Sequence, residues 1–131
     1  MVESSGSHRH FTVLPTQTFI GKDFVDYGFR VVARNTLLKR EKKFELSHRY
    51  SVIKSWQKMV KEAHNPEQKN YKVITDFPKM PPKKWLGNTD AEFVAQRHKD
   101  LVQFLNEFLN KKGIEDHLII AFLGLALNSE E

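Results

Sequence analysis

Three clusters in this 131-residue chain hold side chains that could bind an anion. The first is His48-Arg49-Tyr50-Ser51. A guanidinium is a planar fork of N–H donors that can hold a phosphate through two bonds, and a neighbouring Tyr offers a flat face for stacking on a ring. The second is Pro78-Lys79-Met80-Pro81-Pro82-Lys83-Lys84-Trp85-Leu86-Gly87. A proline-rich segment is extended and stiff, so it can hold a lysine in place at low entropic cost. Trp85 and Leu86 beside Lys83 and Lys84 have the composition of a loop that enters a membrane interface. The third is Arg97 with Gln96, His98 and Lys99, in the polar middle of a helical pattern. Each cluster also has an ordinary structural reading. Arg49 could sit in a surface ion pair beside a core Tyr50. Trp85 could pack under its loop, or Pro78 to Pro81 could be a ligand for a proline-reading domain. Arg97 could lie on a solvated helix face.

Charge sharpens the first reading. The chain carries a formal +5, unevenly spread. Lys39 to Lys61 holds eight basic and two acidic residues, and Lys69 to Lys84 holds five and one, so the rest of the chain is net acidic. A basic centre in an acidic frame suits an anionic partner: a lipid head group, an acidic protein or a nucleic acid. The last needs aromatics spread along a basic groove for stacking. Here the exposed aromatic candidate is mainly Trp85, so no nucleic acid is expected.

Catalysis has little to stand on. No Cys is present, which excludes a disulfide framework, a thiolate zinc site and a thiol nucleophile. No G-x-S-x-G, phosphate-cradling Gly-rich loop or H-E-x-x-H occurs. Six scattered His read as surface or satisfied structural groups, and neither a metal nor a cofactor is expected. The first ten residues have no apolar core of a signal peptide. The longest apolar run, Leu118 to Leu127, is about half the roughly 20 residues that a spanning helix needs.

The elements that must position these clusters can be read from hydrophobic period. A hydrophobic fraction of 40% is that of a globular chain, and this length favours one domain. Phe11 to Ile20 reads as a strand with an edge or bulge at Pro15. Asp26 to Asn35 alternates Tyr27, Phe29 and Val31 with polar or small residues, and Phe44 to Tyr50 is a third strand after a polar turn over Asn35 to Lys43. Val52, Ile53, Trp56, Met59, Val60 and Ala63 then recur at helical spacing, with Lys54, Lys58 and Lys61 on the other face. Asn65-Pro66 stops that helix, and Glu67 to Trp85 is a long irregular stretch. Thr89-Asp90-Ala91-Glu92 reads as a capping box that opens a second helix, closed at Lys111-Lys112-Gly113. Ile114 to Leu127 reads as a third, burying Leu118, Ile119, Phe122 and Leu125. The fold class expected is α+β: a three-stranded antiparallel sheet packed against a helical subdomain with a proline-rich loop.

The three clusters, in this order, resemble the Phox-homology (PX) family and within it the sorting nexins, whose hallmark is a basic-Arg-Tyr-Ser-Asp-Phe stretch. The resemblance rests on Arg49-Tyr50-Ser51, then a helix, then Pro78-x-x-Pro81-x-Lys83, then Arg97-x-x-x-Leu101 with Phe104-Leu105 behind it. It implies a domain over 11–127 between a disordered tail at 1–10 and a short tail at 128–131. It implies a non-catalytic module that reads phosphatidylinositol 3-phosphate in anionic membranes, as a cytoplasmic monomer peripheral to early endosomes. In that reading Arg49 grips the 3-phosphate, Tyr50 stacks against the inositol ring with Ser51 in the same site, Lys83 meets the 1-phosphate and Arg97 bonds the 4- and 5-hydroxyls. Trp85 and Leu86 fall where the family inserts a loop into the membrane. Two departures stand out: His48 replaces a second basic residue, and Val52-Ile53 replaces Asp-Phe, which removes an acid from the start of the helix. The alternative is a PX fold with weak or no lipid binding that serves as an adaptor for a trafficking-complex protein.

Overall fold

The computed structural model describes residues 9–67, 71–83 and 90–130, with side chains up to 123. Three antiparallel strands, β1 (Arg9–Ile20), β2 (Val25–Asn35) and β3 (Arg40–Arg49), form one sheet in the order β1-β2-β3. Three helices follow: α1 (Tyr50–Ala63), α2 (Ala91–Leu109) and α3 (Asp116–Glu130). This is the α+β arrangement expected from the sequence.

The strands alternate as their sequences require. Phe11 and Val13 of β1, Val25, Tyr27, Phe29 and Val31 of β2, and Phe44 and Leu46 of β3 are buried on one face. That face meets the helices, with α2 on β1 and α3 on β3. Ile53, Trp56 and Val60 of α1 join Leu101, Phe104, Leu105 and Phe108 of α2 and Leu118, Ile119 and Phe122 of α3 in a single core. Trp56 stacks against Phe108 and Phe122 at 5.1 and 4.6 Å, and its indole N–H donates to the Leu118 carbonyl at 2.7 Å. A buried indole is thereby both packed and satisfied.

β1 is an edge strand, and two asparagines close part of its edge. Asn110 accepts from the Phe11 N–H and donates to the Phe11 carbonyl, both at 2.8 Å. Asn106 does the same for Val13, at 2.7 and 3.0 Å. One turn apart on α2, the two amides take the place of a neighbouring strand and blunt the edge to further pairing. β1 starts at Arg9, ahead of the strand start expected at Phe11, and an Arg9–Asp116 ion pair ties it to α3. The register of β1 against β2 shifts between Pro15 and Thr18, the irregularity expected at Pro15. There the backbone of Gln17 passes so close to Gly28 that any Cβ at that position would collide with it.

The differences from the sequence reading lie at element ends. β3 begins at Arg40 rather than Phe44, because Arg40 to Lys43 pair with Val32 to Asn35 despite their polarity. The turn shrinks to residues 36–39. The cap of α2 is Asp90, whose side chain accepts from the Glu92 N–H at 2.9 Å; Thr89, expected to open a capping box, lies outside the described residues. Between α1 and α2 the chain is irregular but anchored. Ile74 is buried and its N–H donates to the His64 carbonyl at 3.0 Å, Phe77 stacks on Phe108 at 5.3 Å, and Met80 packs on the core. His64, fully buried, bonds the Lys72 carbonyl through Nδ1 at 2.7 Å and accepts from the Glu115 N–H at 3.3 Å.

Candidate functional site

The end of β3 and the start of α1 place Arg49, Tyr50 and Ser51 in consecutive positions with different surroundings. Arg49 is the N-cap, still extended at φ −73° and ψ 156°. It is exposed, and its guanidinium lies 4.2 Å from the Phe24 ring centroid in the turn between β1 and β2. Across the ladder it sits opposite Asp26. Tyr50, half-buried, donates its hydroxyl to the Pro81 carbonyl. Burial raises its pKa, against the opposing pull of Arg97. Ser51 is exposed on the first turn of α1.

That first turn has an unusual electrostatic character. The Arg49 side chain makes no cap hydrogen bond, and the turn contains no acidic residue. The first backbone N–H groups of a helix have no partner within it and carry the positive end of the helix dipole. With Arg49 at the cap, the start of α1 carries positive charge of both kinds, side chain and backbone.

Arg97 departs most from a surface residue. It is only 6% exposed. Its guanidinium lies 3.9 Å from the Tyr50 ring centroid and 4.5 Å from that of Phe93, and it donates to the Pro82 carbonyl. The buried Tyr27 lies within its electrostatic reach: burial raises the Tyr27 pKa, and Arg97 lowers it in part. The solvated helix face is therefore not its place: α2 turns both Arg97 and His98 towards the sheet. His98 bonds the Gly28 carbonyl at 2.7 Å and stacks near Tyr27 and Phe29.

Tyr50, Pro81, Pro82 and Arg97 thus form one contact cluster from three separate stretches of sequence. Arg49 flanks it through its peptide bond to Tyr50, and Lys83 is exposed on the residue after Pro82. Trp85 and Leu86 lie outside the described residues. The sequence reading missed Phe24, which supports Arg49. Tyr27 reads from the sequence as a position in β2, and the structure adds Phe93 as a ring on which Arg97 packs. No sequence signal located Phe24: only the observed 36–39 turn sets Arg49 against Asp26, two residues from Phe24.

Behind Arg49 lies His48, 6% exposed and 5.0 Å from the Phe122 ring centroid. Its Nε2 has no hydrogen-bond partner among the described residues. Burial lowers its pKa, while the Phe122 backbone and the Asp26 charge act in the opposite direction.

A family profile decides the classification: that of the PX domain matches residues 36–125, from the β2–β3 turn into α3. The chain belongs to the PX family. PX domains are phosphoinositide-binding, peripheral membrane modules of trafficking rather than enzymes. No curated protein matches this chain. Among the described residues no helix of this PX domain is long and apolar enough to cross a membrane, and no cluster of His, Asp and Glu could hold a metal ion.

Proposed function

We propose that this PX domain is sorting nexin-like and reads phosphatidylinositol 3-phosphate on early endosomes. The observation that carries this reading is the uncapped, acid-free start of α1 with Arg49 at its cap, set against the Tyr50–Arg97–Pro82 cluster. Arg49 presents its fork to the 3-phosphate, and the free N–H groups of the first turn of α1 add to the same anion site. Tyr50 and Arg97 act as a unit, because the guanidinium already lies on the ring. Together they form the wall against which the inositol stands, with Arg97 towards its 4- and 5-hydroxyls. Lys83 meets the 1-phosphate. Trp85 and Leu86 enter the bilayer beyond it.

Charge-assisted bonds to phosphate contribute about 1.5–3 kcal/mol each, and lysines near an anionic leaflet add about 1 kcal/mol apiece. These terms give reversible recruitment, which suits a monomeric trafficking module that brings cargo or a trafficking complex to the membrane.

Vesicle flotation tests the reading. Wild-type protein floats with vesicles containing phosphatidylinositol 3-phosphate and less with the other phosphoinositides. Arg49→Ala loses about a hundredfold in affinity, the equivalent of two charge-assisted bonds at the low end of their range. Its melting temperature stays near wild type, since an exposed cation–π contact contributes only about 0.5–1 kcal/mol. Equal flotation of both proteins overturns the assignment of Arg49. Absence of wild-type flotation on every phosphoinositide favours the adaptor reading instead.

A further inference from the structure

The β2–β3 turn sits at the far end of the sheet from Arg49. The ladder runs from Asp26↔Arg49 to Asn35↔Arg40, nine residues apart, which at strand rise is about 30 Å. At its tip Leu37 and Leu38 are adjacent and 64% and 57% exposed. The tip is ordered rather than loose: Asn35 Oδ1 accepts from the Leu38 N–H at 2.9 Å, and Lys39 adopts the left-handed conformation at φ 57°. Left-handed backbone is uncommon outside glycine, so the turn that displays the two leucines is a defined shape.

The surroundings of that pair are strongly cationic. Arg34 to Lys43 contains five basic residues and one acidic one. The acid, Glu41, is paired with Arg34 at 3.1 Å, and Lys42 covers the Phe44 ring at 5.7 Å. An open cleft of about 320 Å³ beside the leucines is lined by Arg34, Asn35, Thr36, Lys39, Arg40 and Glu41. Two exposed leucines inside a basic rim match an apolar centre with a charged border, the layout of a protein-binding surface.

The geometry points to the β2–β3 tip as a docking site for an acidic protein segment that carries apolar side chains between its carboxylates. Charge complementarity fixes the sign of the occupant. The orientation fixes its class, a step that rests on the lipid reading above. When the Arg49 end faces a bilayer, the tip is held about 30 Å away from it along the strands, beyond the reach of lipid and beyond several Debye lengths of the leaflet's charge. The tip then faces away from the membrane, where a partner can engage it while lipid is bound.

The full chain, isotope-labelled, is titrated with a short soluble peptide of alternating Asp or Glu and Leu, with no vesicles present. The expected result is saturable amide shifts over residues 34–41 and none at Arg49 or Arg97. A control peptide with Ser in place of Leu should bind at least tenfold more weakly. The double variant Leu37→Ser, Leu38→Ser should weaken peptide binding by a similar factor and keep wild-type flotation on vesicles containing phosphatidylinositol 3-phosphate. Shifts absent from 34–41, or equal binding of both peptides, overturn the proposal. So does loss of flotation in the double variant, which would make the tip a membrane contact. Flotation of Arg49→Ala judges the lipid reading separately, and the peptide arms decide the tip whichever way that experiment falls.

Discussion

The starts of α1 and α2 solve the same problem in opposite ways. Each helix must deal with a first turn of unpaired N–H groups. α2 deals with it internally: Asp90 accepts from the Glu92 N–H, and Glu92 adds a negative charge to the positive helix end. α1 has neither a side-chain cap nor an acid, and a cation stands at its cap position. Its first residue is held from outside, by the Pro81 carbonyl on the Tyr50 hydroxyl and by Arg97 over the ring. One start is finished by its own sequence. The other is held by distant residues and left positive, which costs helix stability and leaves unpaired N–H groups beside a cation. A locally suboptimal terminus is therefore a pointer to function.

The largest test removes the outside support. Arg97→Ala deletes a buried charged donor to Pro82 and a cation–π contact to Tyr50, and should cost about 2–3 kcal/mol of stability. Thermal melting measures the loss, and amide exchange should quicken in the first turn of α1 more than in that of α2. Specific lipid binding should fall further than binding to phosphatidylserine. A variant that melts like wild type would show that α1 holds its own start.

A second test gives α1 the charge that α2 has. Ser51→Asp should stabilise the helix by about 0.3–1 kcal/mol through the dipole and weaken phosphoinositide binding by about tenfold or more, because a carboxylate then faces the phosphate. Melting and flotation should move in opposite directions. If both rise together, the start of α1 is not the phosphate site. The converse change, Asp90→Ala, should cost about 1 kcal/mol in chemical denaturation and leave flotation within about twofold of wild type.

The smallest effect concerns His48, directly behind the α1 start. Its folded pKa lies below the usual 6.5, so the folded state holds it neutral. The associated stability is complete above about pH 6.5 and is lost as pH falls from there towards the lower folded value, because the unfolded chain takes the proton first. Melting temperature should decline between about pH 7 and pH 5, and His48→Phe should flatten part of that decline. An identical pH profile for the variant would mean that folding does not lower the His48 pKa.

Much of the fold was legible because it is written in local period. Tyr27, Phe29 and Val31 alternate, Ile53, Trp56 and Val60 recur at helical spacing, and Asn65-Pro66 marks a stop, so strands and helices follow from short-range geometry. Boundaries failed where a polar stretch gained a partner: Arg40 to Lys43 read as a turn until pairing with β2 made them strand. The three anion-binding candidates were also legible as residue types in order. Their mutual arrangement was not. Arg97 reads as exposed because charge on a helix is usually solvated, yet it is buried by Tyr50, Tyr27 and Pro82, which arrive from β2, the start of α1 and the proline-rich stretch. The sequence by itself determined which groups could hold a phosphate and which elements carry them. Only the tertiary structure decided that Arg97 lies on Tyr50 and that the two ends of the sheet face opposite ways, because burial and direction depend on contacts between residues far apart in the chain.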